Sequence, residues 1–560
     1  MDNALIAAHF RQLADLMELH GENAFKIRSY ANAGRNLKSI ETPLSDLDEE
    51  QLRELPGVGA AIAEKIKALV TTGHLPLLDK YLAMTPPGVV QLLQIKGIGP
   101  GKVAQLWKEL HIESLGELYY ACIENRLTLL KGFGEKTQEK IKITIEFLLQ
   151  NSGRQLFASV DRKWEDEFQD TLQVWLGPEA QIHVTGDYRS QEITLNRLHL
   201  LLTHITGPEL LARLNPVLPV ETAEEGFIVR PEGFVEILLE ITEASRLPVR
   251  LFKTTGAQEH RDFVISRLPD SAIPDNCTAE EAIYQAAGLP IFPAEWRHAH
   301  PEFFPEPAGQ LAGLIIPADI KGVVHNHTVY SDGSNSIETL ARHCQSLGYE
   351  YLVVSDHSKS AFYANGLSPE RIFIQQQEID LVNSKLEGFR IFKSIECDIL
   401  NDGQLDYDDE ILKTFDLVIA SVHSQLNMSE DKAMQRLIRA IENPYTNILG
   451  HLTGRLLLSR QGYPVDHKKI IDACKANGVV IELNANPHRL DIDWTWIPYC
   501  MEKEVLISID PDAHNLKGVS DIQYGVYAAR KAGLQKSQCI NTLNAEEFIK
   551  KIKSLKGYNF

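Results

Sequence analysis

No stretch of this 560-residue chain approaches the ~18 consecutive apolar residues of a membrane-spanning helix, so no membrane partner is expected. Cysteine is scarce: seven residues, none in a C-x-x-C pair, which excludes a disulfide framework and a thiolate zinc knuckle as readings. The start, "MDNALIAAHFRQLADLMELH", lacks the basic residues and apolar core of a signal peptide and reads as an amphipathic helix. These absences together predict a cytoplasmic protein in reducing surroundings. What is present, 44% hydrophobic and 24% charged residues, is an ordinary globular composition. The length exceeds a single core, and three or four domains are expected.

The net charge of −20 is unevenly spread. Residues 1–150 hold 17 Lys+Arg against 19 Asp+Glu, leaving 39 against 57 for the rest. A near-neutral front end permits local contact with phosphate, and an acidic rear permits cation binding. The front also repeats itself: "LPGVGAAIAEKI" (55–66), "IKGIGPGKVAQL" (95–106) and "LKGFGEKTQEKI" (130–141). Each places G-x-G before a helix-like segment, with Gly57 and Gly59, Gly97 and Gly99, and Gly132 and Gly134 permitting a tight turn. The helix that follows offers unpaired N–H groups to an anion. Lys65, Lys96, Lys102, Lys131 and Lys136 stand nearby. This is the helix–hairpin–helix pattern, which holds a nucleic-acid backbone without reading sequence. Plain packing of helices across a turn is the alternative.

The rear carries the densest chemistry. From residue 321, short apolar strands alternate with helical segments: "KGVVHN", "EYLVVSD", "RIFKSIECDIL", "FDLVIASV", "NILGHL", "VVIELNA" and "VLISID". Repeated β–α units of this length predict a parallel sheet that can close into a barrel, with chemistry at the carboxyl ends of its strands. There the sequence places His325, His327 and Asp332, then His357, Glu396, His423 and His451, and finally Asp512 and His514. Any one could be a hydrogen-bonded structural residue. Nine imidazoles and carboxylates in the same position within their units point to bound metal, and N/O donors without thiolate suit Zn, Mn or Fe. Arg455 in "HLTGR", and His488 and Arg489 in "NPHRLD", are candidate phosphate clamps; surface basicity is the alternative.

These motifs closely resemble the PHP (polymerase and histidinol phosphatase) domain. The resemblance implies a distorted seven-stranded barrel whose nine ligand positions, all matched here, hold three divalent ions. Val323 stands where relatives carry Asp, outside the ligand set. At the other end, "NAFKIRSYANAGRNL" followed by "LPGVGAAIAEKI" resembles the lyase-type domain of family X DNA polymerases. That resemblance puts Lys65 at the Schiff-base position; a solvated helix lysine is the other reading. Between them, "AEEAIYQAAGLPIFPAEWR" (279–297) resembles the thumb signature of the same polymerases, and "TTGAQEH" (254–260) resembles their T-G-S-K-E-H segment. Aligned on Gly186 and Arg189, however, the paired catalytic aspartates fall on Arg197 and His199, and the third acid falls on Glu236.

The chain as a whole resembles the bacterial family X polymerases with a C-terminal PHP domain. The resemblance implies a multidomain protein: a helical lyase-like and helix–hairpin–helix region over 1–150, a degenerate α+β nucleotidyltransferase-like palm and thumb over 155–315, and the α/β PHP barrel over 320–560. It implies a DNA-repair enzyme that hydrolyses phosphoesters as a 3′–5′ exonuclease, 3′-phosphatase or abasic-site endonuclease, acting on gapped, nicked or 3′-ended DNA; the departure from the family at Arg197 and His199 implies that polymerase activity is lost. A monomer is the expected state. A small-molecule phosphatase of the histidinol-phosphatase type and a non-catalytic scaffold for gapped DNA remain alternatives.

Overall fold

The structure is a computed structural model that describes residues 3–557, apart from 38, 39, 41, 56, 96, 151, 152, 232, 275, 276 and 299–306. Lys96 therefore lies outside the described residues. The chain forms two compact units: Met1–Cys122 with Gly132–Glu146, and Ile123–Lys131 with Phe147–Phe560.

The first unit is helical. Ile6, Phe10, Leu13 and Met17 recur at helical spacing along Asn3–Leu19 and are fully buried, which is the amphipathic pattern the sequence predicts. Its three G-x-G turns share one geometry. Gly57, Gly97 and Gly132 have φ of +81°, +95° and +92°, a conformation that any side chain would strain. The residue between each glycine pair (Val58, Ile98, Phe133) is buried, while all six glycines are exposed. Gly59 and Gly99 are the N-caps of Ala60–Thr72 and Pro100–Leu110. Each turn is thus anchored by its central side chain and presents bare backbone N–H groups at a helix start. Lys102 lies over the Phe133 ring, 5.0 Å from its centroid.

The second unit holds two sheets and a two-stranded ribbon. The ribbon pairs β1 (Gln155–Leu156) with β3 (Thr194–Leu195). The first sheet combines β2 (Gln181–Thr185), β4 (Arg197–Thr203), β5 (Val220–Ala223), β6 (Gly226–Val229) and β7 (Glu236–Ile241) in the order β2-β4-β7-β6-β5. Only β4 and β7 run parallel, in a register that sets Arg197 beside Glu236.

The second sheet is the predicted barrel. Its strands are β8 (Gly322–Asn326), β9 (Tyr351–Val354), β10 (Arg390–Asp398), β11 (Leu417–Ser421), β12 (Ile448–Leu449), β13 (Val480–Asn484) and β14 (Ile507–Asp510). All neighbours are parallel and in sequence order. A bridge between Asn326 and Ala513, just past β14, nearly closes the ring. Most of the strands read as largely apolar runs because both faces are covered, one by barrel side chains and one by helices such as Ile337–Ser346 and His467–Asn477. The barrel and the polymerase-like sheet share one apolar core. Trp296, fully buried, donates its indole N–H to the Arg530 carbonyl (2.5 Å), and Arg530 in turn pairs with Glu295 (2.7 Å). Among the described residues no helix is long and apolar enough to cross a membrane, and all seven cysteines are buried and unpaired.

Candidate metal centre

The nine residues that the sequence singles out meet at one end of the barrel. The reason is local. β8 carries His325 near its carboxyl end, and His327 follows one residue past the strand, so both enter the interior at the same rim. A register shift between Val323 and Asn326, with His325 at φ +60°, adjusts their aim, and the two rings lie 5.4 Å apart. Asp332 sits on the following loop, which is fastened by the buried Asp356. That carboxylate accepts the N–H groups of Thr328 (2.8 Å) and Ser331 (3.1 Å), the Thr328 hydroxyl (2.6 Å) and the Gln375 amide (2.6 Å). Gly333 makes the loop possible, since a Cβ there would meet the His327 carbonyl oxygen at 2.3 Å.

Glu396, on β10, lies at the centre. Its Oε1 is 2.9 Å from His451 Nε2, 3.0 Å from His423 Nε2 and 3.2 Å from His325 Nε2. Its Oε2 is 2.9 Å from His357 Nδ1. On the other side, Asp332 Oδ2 is 3.5 Å from both His357 and His514, and Asp512 Oδ1 is 3.1 Å from His327 Nε2. Four donor groups result: His327, Asp332, His357 and His514; His325, His327 and Asp512; His357, Glu396 and His423; and His325 with Glu482 and Asp510, two carboxylates outside the nine. His451 joins through Glu396.

Burial makes this arrangement expensive unless cations are present. All three carboxylates are under 10% exposed. Seven of the nine residues also carry a buried atom without a hydrogen-bond partner among the described residues: His325 Nε2, His327 Nδ1, Asp332 Oδ2, His357 Nδ1, Glu396 Oε2, His451 Nδ1 and His514 Nε2. Each such orphan costs about 1–3 kcal/mol if left unmet. Buried nitrogen and oxygen atoms that converge on one another outside hydrogen-bond geometry suit a bound cation. The electrostatics agree. Burial opposes ionisation of Asp332, yet His357 and His514 hold its carboxyl well below the usual range; histidines do the same for Glu396 and Asp512. Burial likewise disfavours charge on His423 and His514, but Glu396 and Asp332 respectively hold their pKa values up at about 9. Without metal, His325, His357, His423 and His514 thus act as countercharge to the carboxylates, while burial and the neighbouring His514 and His357 keep His327 toward its neutral form. A divalent ion can take over that role as the protons leave.

Sequence reasoning missed the groups that back the centre. Glu482, fully buried on β13, contacts His325 Nδ1 and accepts the His451 backbone N–H at 2.5 Å. Asp398, two residues after Glu396 on the same strand face, lies 2.6 Å from His423 Nδ1. Asp510 stands beside Glu482, and burial followed by that neighbour raises its pKa well above the ordinary value. A carboxylate interrupting the apolar run of "VVIELNA" is the signal that marks Glu482. Carboxylates behind ligating histidines fix ring orientation and tautomer. Glu482→Gln is therefore expected to weaken metal binding about 10- to 100-fold with the fold intact, as read by metal titration of chelator-stripped protein.

The remaining candidates fall in different places. Arg489 is 6% exposed, with Nε 3.5 Å from Asp512 Oδ2, so it borders the centre. Arg455 gives Nε to the Arg489 carbonyl (2.9 Å), Nη1 to Asp493 (2.5 Å) and Nη2 to the Leu490 carbonyl. It fastens the backbone that carries Arg489. Burial lowers the pKa of His488 to about 4, with Arg162 and Arg489 adding to the effect, so its ring is neutral near pH 7. Lys65 is exposed on the helix Ala60–Thr72, 3.2 Å from the Ala61 carbonyl.

Comparison with known proteins agrees with this layout. Residues 1–75 match the helix-hairpin-helix domain family, and residues 89–146 match the SAM-like helix-hairpin-helix tandem family. A protein of Bacillus subtilis (strain 168) named DNA polymerase/3′-5′ exonuclease PolX is 30% identical over 570 aligned residues, covering 96% of this chain and 98% of its own. A probable phosphatase of Caldanaerobacter subterraneus subsp. tengcongensis is 30% identical over 171 residues, 29% of this chain and 60% of its own. A probable phosphatase of Thermoanaerobacter sp. (strain X514) is 28% identical over 229 residues, 39% of this chain and 89% of its own. With a relative aligned from end to end, helix–hairpin–helix matches at the front and phosphatase relatives besides, this chain belongs to the PolX family, the bacterial family X DNA polymerases with a C-terminal PHP domain.

Proposed function

We propose that this protein is a metal-dependent hydrolase of DNA phosphoesters, acting at 3′ ends as a 3′–5′ exonuclease or 3′-phosphatase, or at abasic sites. The observation that carries the reading is the convergence of nine imidazoles and carboxylates, all buried except the partly buried His423, with seven buried nitrogen and oxygen atoms among them outside hydrogen-bond geometry. His325, His327, Asp332, His357, Glu396, His423, His451, Asp512 and His514 would hold three divalent ions, Zn, Mn or Fe. When bound, such ions supply Lewis acidity toward phosphate oxygens and a nucleophile available near neutral pH. The chain's own part is to fix those donors through Glu482, Asp398 and Asp356, and to keep Arg489 beside the centre, where its guanidinium can meet a phosphate oxygen. The three glycine hairpins support DNA as the substrate, because they offer sequence-blind backbone contacts that a small phosphate ester does not need.

Incubating 5′-labelled single-stranded, gapped and 3′-phosphorylated DNA with the protein and Mn²⁺ tests this. Stepwise shortening or loss of the 3′ phosphate is expected. Cleavage of histidinol phosphate alone would support a small-molecule phosphatase, and tight DNA binding without cleavage would support a scaffold.

We assign the polymerase-like sheet a structural role, without nucleotidyl transfer, and Lys65 a lyase role. For the latter, borohydride is expected to trap the protein on incised abasic DNA, and Lys65→Ala to abolish the trapped species. Equal trapping in the variant would remove Lys65 from the chemistry.

A further inference from the structure

The helix Pro369–Asn383 packs against the barrel through Ile372, Gln375, Gln376, Ile379 and Val382, all buried. A helix on the outside of a barrel ordinarily gives its other face to water, as Ile337–Ser346 does with the ion pair of Glu338 and Arg342. Pro369–Asn383 does not. Phe373, Ile374 and Leu381 are 47%, 57% and 57% exposed. Phe373, Gln377 and Leu381 follow one another at i, i+4 and i+8, with Ile374 beside them, so the outer face carries an apolar stripe of its own. Single exposed apolar side chains are common; three joined on one stripe mark a surface that meets something apolar. The ends of the stripe carry opposite charges. Glu370, in the first turn, is exposed and accepts the Ser368 hydroxyl at 2.7 Å. Lys385, just past the last turn, is 47% exposed at its side chain, with Nζ 4.0 Å from Glu338.

That stripe is its own complement. A two-fold axis through Gln377 sets Phe373 and Ile374 against the partner's Leu381, and Glu370 against the partner's Lys385, with each contact made twice. It also runs the two helix dipoles in opposite directions. A parallel pairing would instead oppose Glu370 to Glu370 and Lys385 to Lys385. We propose that the apolar outer face of Pro369–Asn383 docks a second copy of this chain, in an antiparallel helix pair centred on Gln377. The contact is one helix wide, below the ~1,200–2,000 Å² that a stable interface buries, so the dimer is reversible, with Kd of about 10–100 µM. None of the nine metal-centre residues lies on this helix, so pairing leaves both centres open.

Sedimentation velocity of the full chain from about 5 to about 200 µM tests this, with a shift from monomer to dimer expected across that range. Leu381→Glu is expected to weaken association at least about tenfold, while thermal unfolding stays within about 2 °C of wild type. Glu370→Lys and Lys385→Glu are each expected to weaken it about threefold or more, and the double variant to restore it, because every contact then pairs the same two charges reversed. With oxidised glutathione as the oxidant, Gln377→Cys is expected to form a disulfide-linked dimer about tenfold faster than Glu410→Cys, an exposed position elsewhere on the barrel. The seven native cysteines are buried and do not compete. A monomer at every concentration would overturn the pair, and co-flotation of that monomer with phosphatidylcholine vesicles would give the face to lipid instead. A dimer that persists in Leu381→Glu, cross-linking at 377 no faster than at 410, or a double charge variant no better than the singles would overturn it as well.

Discussion

Asp512→Ala and His327→Ala are each expected to reduce Mn²⁺-dependent hydrolysis of DNA 3′ ends by about three orders of magnitude or more. Asp512 is 3% exposed and faces His325 and His327 in one donor group, and His327 also belongs to a second. Loss of either therefore strips a donor from at least one ion position, and His327 from two. Charge stabilisation by a catalytic metal is worth several kcal/mol, and each ~1.4 kcal/mol is a tenfold change in rate. Asp512→Asn keeps the shape and the Asn484 neighbour (3.1 Å) while removing the charge, so it separates loss of metal from loss of fold. Wild-type rates in all three variants, with unchanged thermal unfolding, would remove these residues from the metal centre.

The second large effect is an absence. With the barrel disabled by Asp512→Asn to protect the primer, no template-directed incorporation is expected on a one-nucleotide gap. Nucleotidyl transfer by two metals needs carboxylates where β4 carries Arg197 and His199. The one acid left, Glu236, is already paired, 3.1 Å from Arg197 and 3.0 Å from Arg230. His199 is 3.1 Å from Glu240, which Arg250 also holds. At ~4 Å and an effective dielectric of ~20, one unit-charge pair is worth roughly 4 kcal/mol, and a divalent ion beside Arg197 roughly doubles the repulsion. Arg197 is 40% exposed at its side chain, so solvent screening cuts this severalfold. Even roughly 2–3 kcal/mol remaining would oppose occupancy by about two orders of magnitude. Incorporation that survives Glu236→Ala but disappears in Arg197→Ala would demand another active site and break this account of the sheet.

The barrel was legible in the sequence because parallel strands buried on both faces leave short, largely apolar runs, and their ends carry the chemistry. Even the two-residue β12 was marked by "NILGHL" and the histidine that follows it. The glycine hairpins were legible for a related reason: a left-handed turn restricts the residue that can occupy it. The bulge at His325 was not, since φ +60° at a histidine leaves no trace in composition or periodicity. Asp356 and Asp398 escaped notice because a carboxylate behind a ligand has no characteristic spacing from it. Glu124, which meets Arg489 at 3.7 Å, lay furthest out of reach. It stands more than 350 residues before Arg489 in the chain, inside what reads as a connection between hairpins, and only the fold joins them.

The most direct test of the central claim is the length distribution of a 5′-labelled single-stranded oligonucleotide after incubation with chelator-stripped protein, without metal and with increasing Mn²⁺. The account predicts intact DNA without metal and a ladder receding from the 3′ end as Mn²⁺ is restored, absent in Asp512→Ala. The same ladder from stripped protein, or from Asp512→Ala, would contradict it.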